Sequence, residues 1–215
     1  MDFKKTPKPF PIINLLSSKF YRANKDMSNQ PNSSSASSAR EKVAKFMRLG
    51  GWACFWSQLA LAVISALILV FALFSLGESN TNAGSGGSLF FAGLGLAALG
   101  FSIFLAFRYP QLARKLRSPT PSLRPTKADT TQQVRMALIA NMTGMFLTLL
   151  GAESFSGILL AKSLSQPQGL IQTTGNVRDF IEPLDIFLVL GNTHTIFAHF
   201  VGIAVALWLL NEIHK

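Results

Sequence analysis

Four long apolar runs constrain this chain more than any other feature. Trp52–Leu76, Met136–Leu160 and Ile186–Leu210 each run 25 residues, and Leu89–Phe107 runs 19. As helix, 25 residues extend about 37 Å, enough to cross a hydrocarbon core of about 30 Å with some tilt. The first two runs are nearly free of charge, whereas the third carries Glu153 and the fourth His194 and His199. A membrane barrel would show alternating segments of about ten residues, and these runs are continuously apolar. Composition agrees, with 49% of residues hydrophobic and 14% charged, against roughly 25% charged in soluble domains. The expected class is all-α: an integral membrane bundle of four transmembrane helices, 52–76, 89–107, 136–160 and 186–210.

The formal charge of +10 would point to nucleic acid in a polar chain. In an apolar one it points to loops held on the cytoplasmic side, so no nucleic-acid partner is expected. Ten of the 20 basic residues precede Trp52, and seven more lie from Arg108 to Arg135. The loop after the first run has Glu78 and no basic residue; the loop after the third has Lys162 and Arg178 against Asp179, Glu182 and Asp185. The asymmetry predicts both termini and the middle loop on the cytoplasmic side, or on the stromal side in a plastid. The middle loop then meets anionic lipid headgroups or a partner's acidic surface. A single cysteine, Cys54, excludes an internal disulfide and a multi-cysteine metal site, and reads as a small packing residue.

Residues 1–37 read as a disordered extension, rich in Lys and Pro at one end and in Ser at the other. Met27 offers a second start, which would make 1–26 an upstream extension; a plastid transit peptide is the other reading. No apolar run begins before Trp52, so no secretory signal is expected. Ser38-Ala39-Arg40-Glu41 matches a capping box at the head of an amphipathic interfacial helix, 38–51, with Gly50-Gly51 allowing a bend into the first span. Tyr109-Pro110 is expected to end the second span. Ser118–Pro125, with three prolines, reads as extended. Thr130-Thr131-Gln132-Gln133 forms a weaker capping box, and 211–215 a short tail. Gly93, Ala97 and Gly100 share a helical face on which another helix could pack closely.

No soluble-enzyme signature occurs, and the chain is read as a non-enzyme without a resident cofactor. The polar groups inside the spans carry the functional signal. Asn192, Thr195 and His199 share a helical face, whereas His194 and His199 are about 140° apart and cannot chelate one ion from a regular helix. Glu153, toward the far end of the third span, is expected to face the bundle or stay protonated. Gln58 with Ser65, and Asn141 with Thr148, mark two further polar strips. Two readings stand: these groups hydrogen-bond across helices and fix packing, or Glu153, Asn192, His194 and His199 form a cation or proton site. A carboxylate with imidazoles suits iron, zinc or manganese.

The run Gly50-Gly51-Trp52-Ala53-Cys54-Phe55-Trp56-Ser57-Gln58 resembles the DUF3611 proteins of cyanobacteria and plastids. So do Pro183-Leu184-Asp185-Ile186-Phe187, Asn192–Val201 and Leu207-Trp208-Leu209-Leu210. The resemblance covers roughly Arg40–Leu210. It implies four membrane helices in a cyanobacterial plasma or thylakoid membrane, or in the plastid inner envelope. It also implies two competing functions. One is a permease for iron or another divalent cation, which in so small a bundle would need a homo-oligomer. The other is a non-catalytic scaffold or translocon component, with a partner in protein import or photosynthetic-complex assembly. The resemblance transfers no catalytic constellation.

Overall fold

A computed structural model of the chain describes residues 11–77, 83–165 and 183–214, with side chains described at Lys19 and over 37–74, 86–164 and 184–214. The chain divides into two units, Met1–Lys42 and Val43–Lys215. The described residues hold four α-helices, α1 (Pro11–Gly77), α2 (Ala83–Leu116), α3 (Lys127–Ser165) and α4 (Pro183–His214), with a loop and one 3-10 turn between α2 and α3. All four are long and apolar enough to cross a membrane, and no described residue is in a strand. The expected disordered extension falls partly on residues 1–10, outside the described residues. From Pro11 the backbone is helical.

Within the second unit the helices run up, down, up, down. The contacts of Gln58 with Ser102 and of Gly51 with Pro110 set α1 against α2 in opposite directions. Asn141 near His199 and Lys162 at Asp185 do the same for α3 and α4. Both ends of the bundle are thereby fixed by chemistry. One carries the basic α2–α3 loop, the start of the bundle on α1 and the end of α4; it is called the basic end. The other carries the α1–α2 and α3–α4 connections and is called the connection end. Buried positions recur about every seven residues, as in α1 (Ala44, Gly51, Gln58, Ser65, Ala72) and α3 (Val134, Asn141, Thr148, Phe155). That spacing keeps one seam of each helix on the bundle axis.

Helix ends depart from the sequence reading. Ser38–Glu41 lies inside α1, not at a helix start, and α1 passes straight through Gly50-Gly51. Those glycines serve packing instead of bending. A Cβ on Gly51 would stand 2.7 Å from Tyr109 Cβ and 2.8 Å from Pro110 Cδ, so only glycine lets α2 seat its proline ring there. The Val43–Gly51 turns carry their apolar face into the bundle, with Ala44 and Met47 fully buried.

The second span does not end at Tyr109-Pro110; α2 continues to Leu116. A proline inside a helix costs about 3 kcal/mol. Burial of Tyr109, Leu112 and Ala113 in the cluster at the basic end offsets it. Likewise α4 runs through the expected tail to His214, because Ile213 joins the same cluster. Trp52, Trp56 and Trp208 stand half-exposed around this end, the belt position of indoles at a membrane surface.

The α2–α3 loop is extended at Thr120 and Arg124 around one 3-10 turn, Pro121–Leu123. The cap of α3 is Thr126 with Asp129, not Thr130 with Gln133. Thr126 N–H and its hydroxyl donate to Asp129 Oδ2 at 3.0 and 2.7 Å, and Asp129 N–H donates back to Thr126 Oγ1 at 3.1 Å. Thr130, already in the second turn, donates its hydroxyl to Thr126 O. The glycine face of α2 is also corrected. Gly93 and Gly100 meet nothing, and Ala97 and Gly100 are exposed; the close contact is Gly95 under Thr148 of α3.

Candidate functional site

Halfway along the bundle all four helices meet in a layer of polar groups. Gln58 of α1 donates its two amide hydrogens to Asn141 Oδ1 of α3 (2.9 Å) and to Ala198 O of α4 (3.1 Å). Ser102 of α2 donates to Gln58 Oε1 at 3.3 Å. Asn141 Nδ2 donates to Ala137 O, which fixes its carbonyl oxygen toward the axis. His199, fully buried, has Nδ1 3.2 Å from Asn141 Oδ1 and Nε2 3.2 Å from Gly95 O. Both ring nitrogens thus face acceptors. A neutral imidazole donates to one of them, an imidazolium to both, and in either state no ring lone pair is aimed at an open ligand position. Gly144 and Gly202 make the layer possible, since a Cβ on either would run into His199 or into the Gln58–Asn141 pair.

One to two turns toward the connection end the packing changes. Ser65 of α1 and Thr195 of α4 both donate to Gly191 O, at 2.9 and 3.0 Å. Beside them lies a cavity lined by Ser65, Ser88, Asn192 and Thr195 together with apolar side chains from all four helices. Beyond it Ala72, Phe155 and Leu188 form a small apolar cluster. At the end itself Lys162 of α3 pairs with Asp185 of α4, whose side chain is partly exposed, at 2.8 Å.

The structure separates the four residues singled out as cation ligands. Asn192 and His199 point inward, with Thr195 between them, as their spacing predicts. His194 instead turns Nδ1 onto Leu190 O of its own helix at 2.7 Å. Glu153 is exposed on the outer side of α3, among lipid-facing Leu149 and Leu150. Among the described residues no three of His, Cys, Asp and Glu stand close enough to share a metal ion. The polar strips Gln58/Ser65 and Asn141/Thr148 are buried and spent on helix contacts or, for Thr148, on Gly144 O.

Sequence reasoning missed Ser102, the Gly95 carbonyl and the Lys162–Asp185 pair. Ser102 was legible as the heptad neighbour of Gly95 and Tyr109. A backbone carbonyl leaves no mark in a sequence.

The family model described as "Protein of unknown function (DUF3611)" matches residues 37–214. "Protein TIC 21, chloroplastic" of Arabidopsis thaliana is 32% identical over 180 residues, covering 80% of this chain and 58% of the relative. The chain therefore spans less than two thirds of that relative's length. No solved structure matches. With most of its length matched by the family model, membrane bundle included, the chain belongs to the DUF3611 family.

Proposed function

We propose that this chain is a non-catalytic subunit of a membrane assembly, of the protein-import or complex-assembly kind, rather than a permease for divalent cations. One observation carries the reading: the position of Glu153. Its carboxylate lies nine residues from Lys162, about 13 Å along the helix toward the bundle centre, and it faces outward. An ionisable group at such depth costs up to about 2.5–3.5 kcal/mol against lipid. A neighbouring membrane helix that presents a basic group or a hydrogen-bond donor removes that cost. The interior supports the same view, because the groups of its polar layer are bonded to one another.

The basic end faces the cytoplasm or stroma on this reading, where seven basic residues from Arg108 to Arg135 meet anionic headgroups. Native electrophoresis of the membrane complex tests the role of Glu153. Glu153→Leu should release the chain from its high-mass band while leaving the bundle folded, and Glu153→Gln should weaken the band less. An unchanged band with metal uptake by reconstituted vesicles would overturn the proposal in favour of a permease. The permease reading has one observation on its side, the polar cavity beside Asn192.

A further inference from the structure

That cavity has a property that packing alone does not explain. Asn192 is only 9% exposed, yet its amide makes no hydrogen bond to any described residue. No fully buried side-chain nitrogen or oxygen lacks a partner among the described residues, and Asn192 is one of the residues that line the cavity. The hydroxyl hydrogens of Ser65 and Thr195 are both committed to Gly191 O, which leaves their oxygen lone pairs free. The walls thus offer two hydroxyl acceptors plus an amide that can donate and accept. The guest that matches is a small hydrogen-bond donor that can also accept one bond. The space open to the centres of water molecules is about 20 Å³. A single water needs roughly 10–15 Å³ and two to four polar partners. Both conditions are met.

The geometry points to a water-binding site in this cavity, filled from the connection end and closed toward the basic end by the Gln58–Asn141–His199 layer. Phe155 and Leu188 line the cavity and also belong to the apolar cluster of Ala72, which lies between the cavity and the connection end. The bundle is hydrated on one side of its polar layer only. The inference holds whether the chain is a subunit of an assembly or a permease.

Substituted-cysteine accessibility to silver ion, a monovalent probe of about the size of potassium, tests it. The full-length protein in membrane vesicles first receives Cys54→Ala to remove the native thiol. Ser65→Cys and Ser88→Cys then change one atom each in the cavity wall, and Ala137→Cys serves as the control in the basic-end cluster. Silver applied from the connection-end side should modify both cavity cysteines faster than Ala137→Cys by about tenfold or more, the ratio expected if only one half opens readily. Asn192→Leu, which fills the cavity and removes its free amide, should slow Ser65→Cys to the control rate. The proposal fails if both cavity cysteines react no faster than the control. It also fails if filling the cavity leaves the rate at Ser65→Cys unchanged, because the probe then arrives by another route.

Discussion

The two halves of this bundle solve the same packing problem differently. At the basic end Met47, Tyr109, Val134 and Leu209 close a single apolar cluster, ringed by Phe46 against Trp208 at 5.1 Å between ring centres. At the connection end three buried apolar residues, Ala72, Phe155 and Leu188, share the space with serines, an asparagine and a cavity. In lipid, apolar side chains gain little by leaving the bilayer, so helix association depends on fit and on interhelical hydrogen bonds. The basic end relies on fit and the connection end on hydrogen bonds. A close-packed end holds position, and a loosely packed one is where opening starts.

The largest test strikes the layer between the halves. Gly202→Val would drive a side chain into Asn141 Oδ1 and Gln58 Nε2 and separate α4 from both partners. Overpacking of this kind costs about 3 kcal/mol, and the displaced hydrogen bonds add to it. Thermal unfolding in detergent should show a bundle that loses both halves together. If the basic end stays folded alone, the polar layer does not couple the halves.

A paired truncation then sharpens the contrast. Leu209→Ala empties a site that is 1% exposed in the tight cluster and should cost about 3 kcal/mol. Leu188→Ala enlarges a cavity that already exists, and water can enter it, so about 1–2 kcal/mol is expected. Equal losses, measured by reversible unfolding, would mean that the two ends are packed alike.

These contrasts show what the sequence could and could not convey. The four spans and the inward strips were legible because apolar length and seven-residue spacing are properties of the chain itself. Gln58, Ser65, Asn141, Thr148, Asn192, Thr195 and His199 all face inward. The outward position of Glu153 was not legible, because which side of α3 meets its neighbours is set by residues distant in sequence. Nor was the passage of α2 through Pro110, which depends on Gly51, a residue on another helix. The Thr126–Asp129 cap could have been found, since Pro125-Thr126-Lys127-Ala128-Asp129 has the cap spacing one turn before Thr130. Helix ends are local chemistry, but the residue facing each seam is decided by neighbours distant in sequence.

A smaller effect is expected at Ser65, which joins α1 to the Gly191 carbonyl in the loosely packed half. Ser65→Ala should cost about 0.6 kcal/mol, the average for an interhelical hydrogen bond in a membrane. Water can replace the lost donor at Gly191 O. A loss above about 2 kcal/mol, the top of the range for such bonds, would indicate a dry cavity.

The smallest expected effect lies at the connection end, in the pair of Lys162 with Asp185. The two side chains are 23% and 12% exposed and 2.8 Å apart, tying the end of α3 to the first turn of α4. Partial exposure screens the pair, so a double-mutant cycle with Lys162→Met and Asp185→Asn should give a coupling of about 0.5–1 kcal/mol. Raising the salt should reduce that coupling, as for other charge pairs within reach of water. A buried pair would respond differently, with a larger coupling indifferent to salt. The same variants test the contrast between the halves. The pair lies beyond the apolar cluster that screens the cavity, so its loss should speed silver modification of Ser65→Cys and leave Ala137→Cys unchanged. If breaking this weak contact opened both positions equally, the looseness would belong to the whole bundle and not to the connection end.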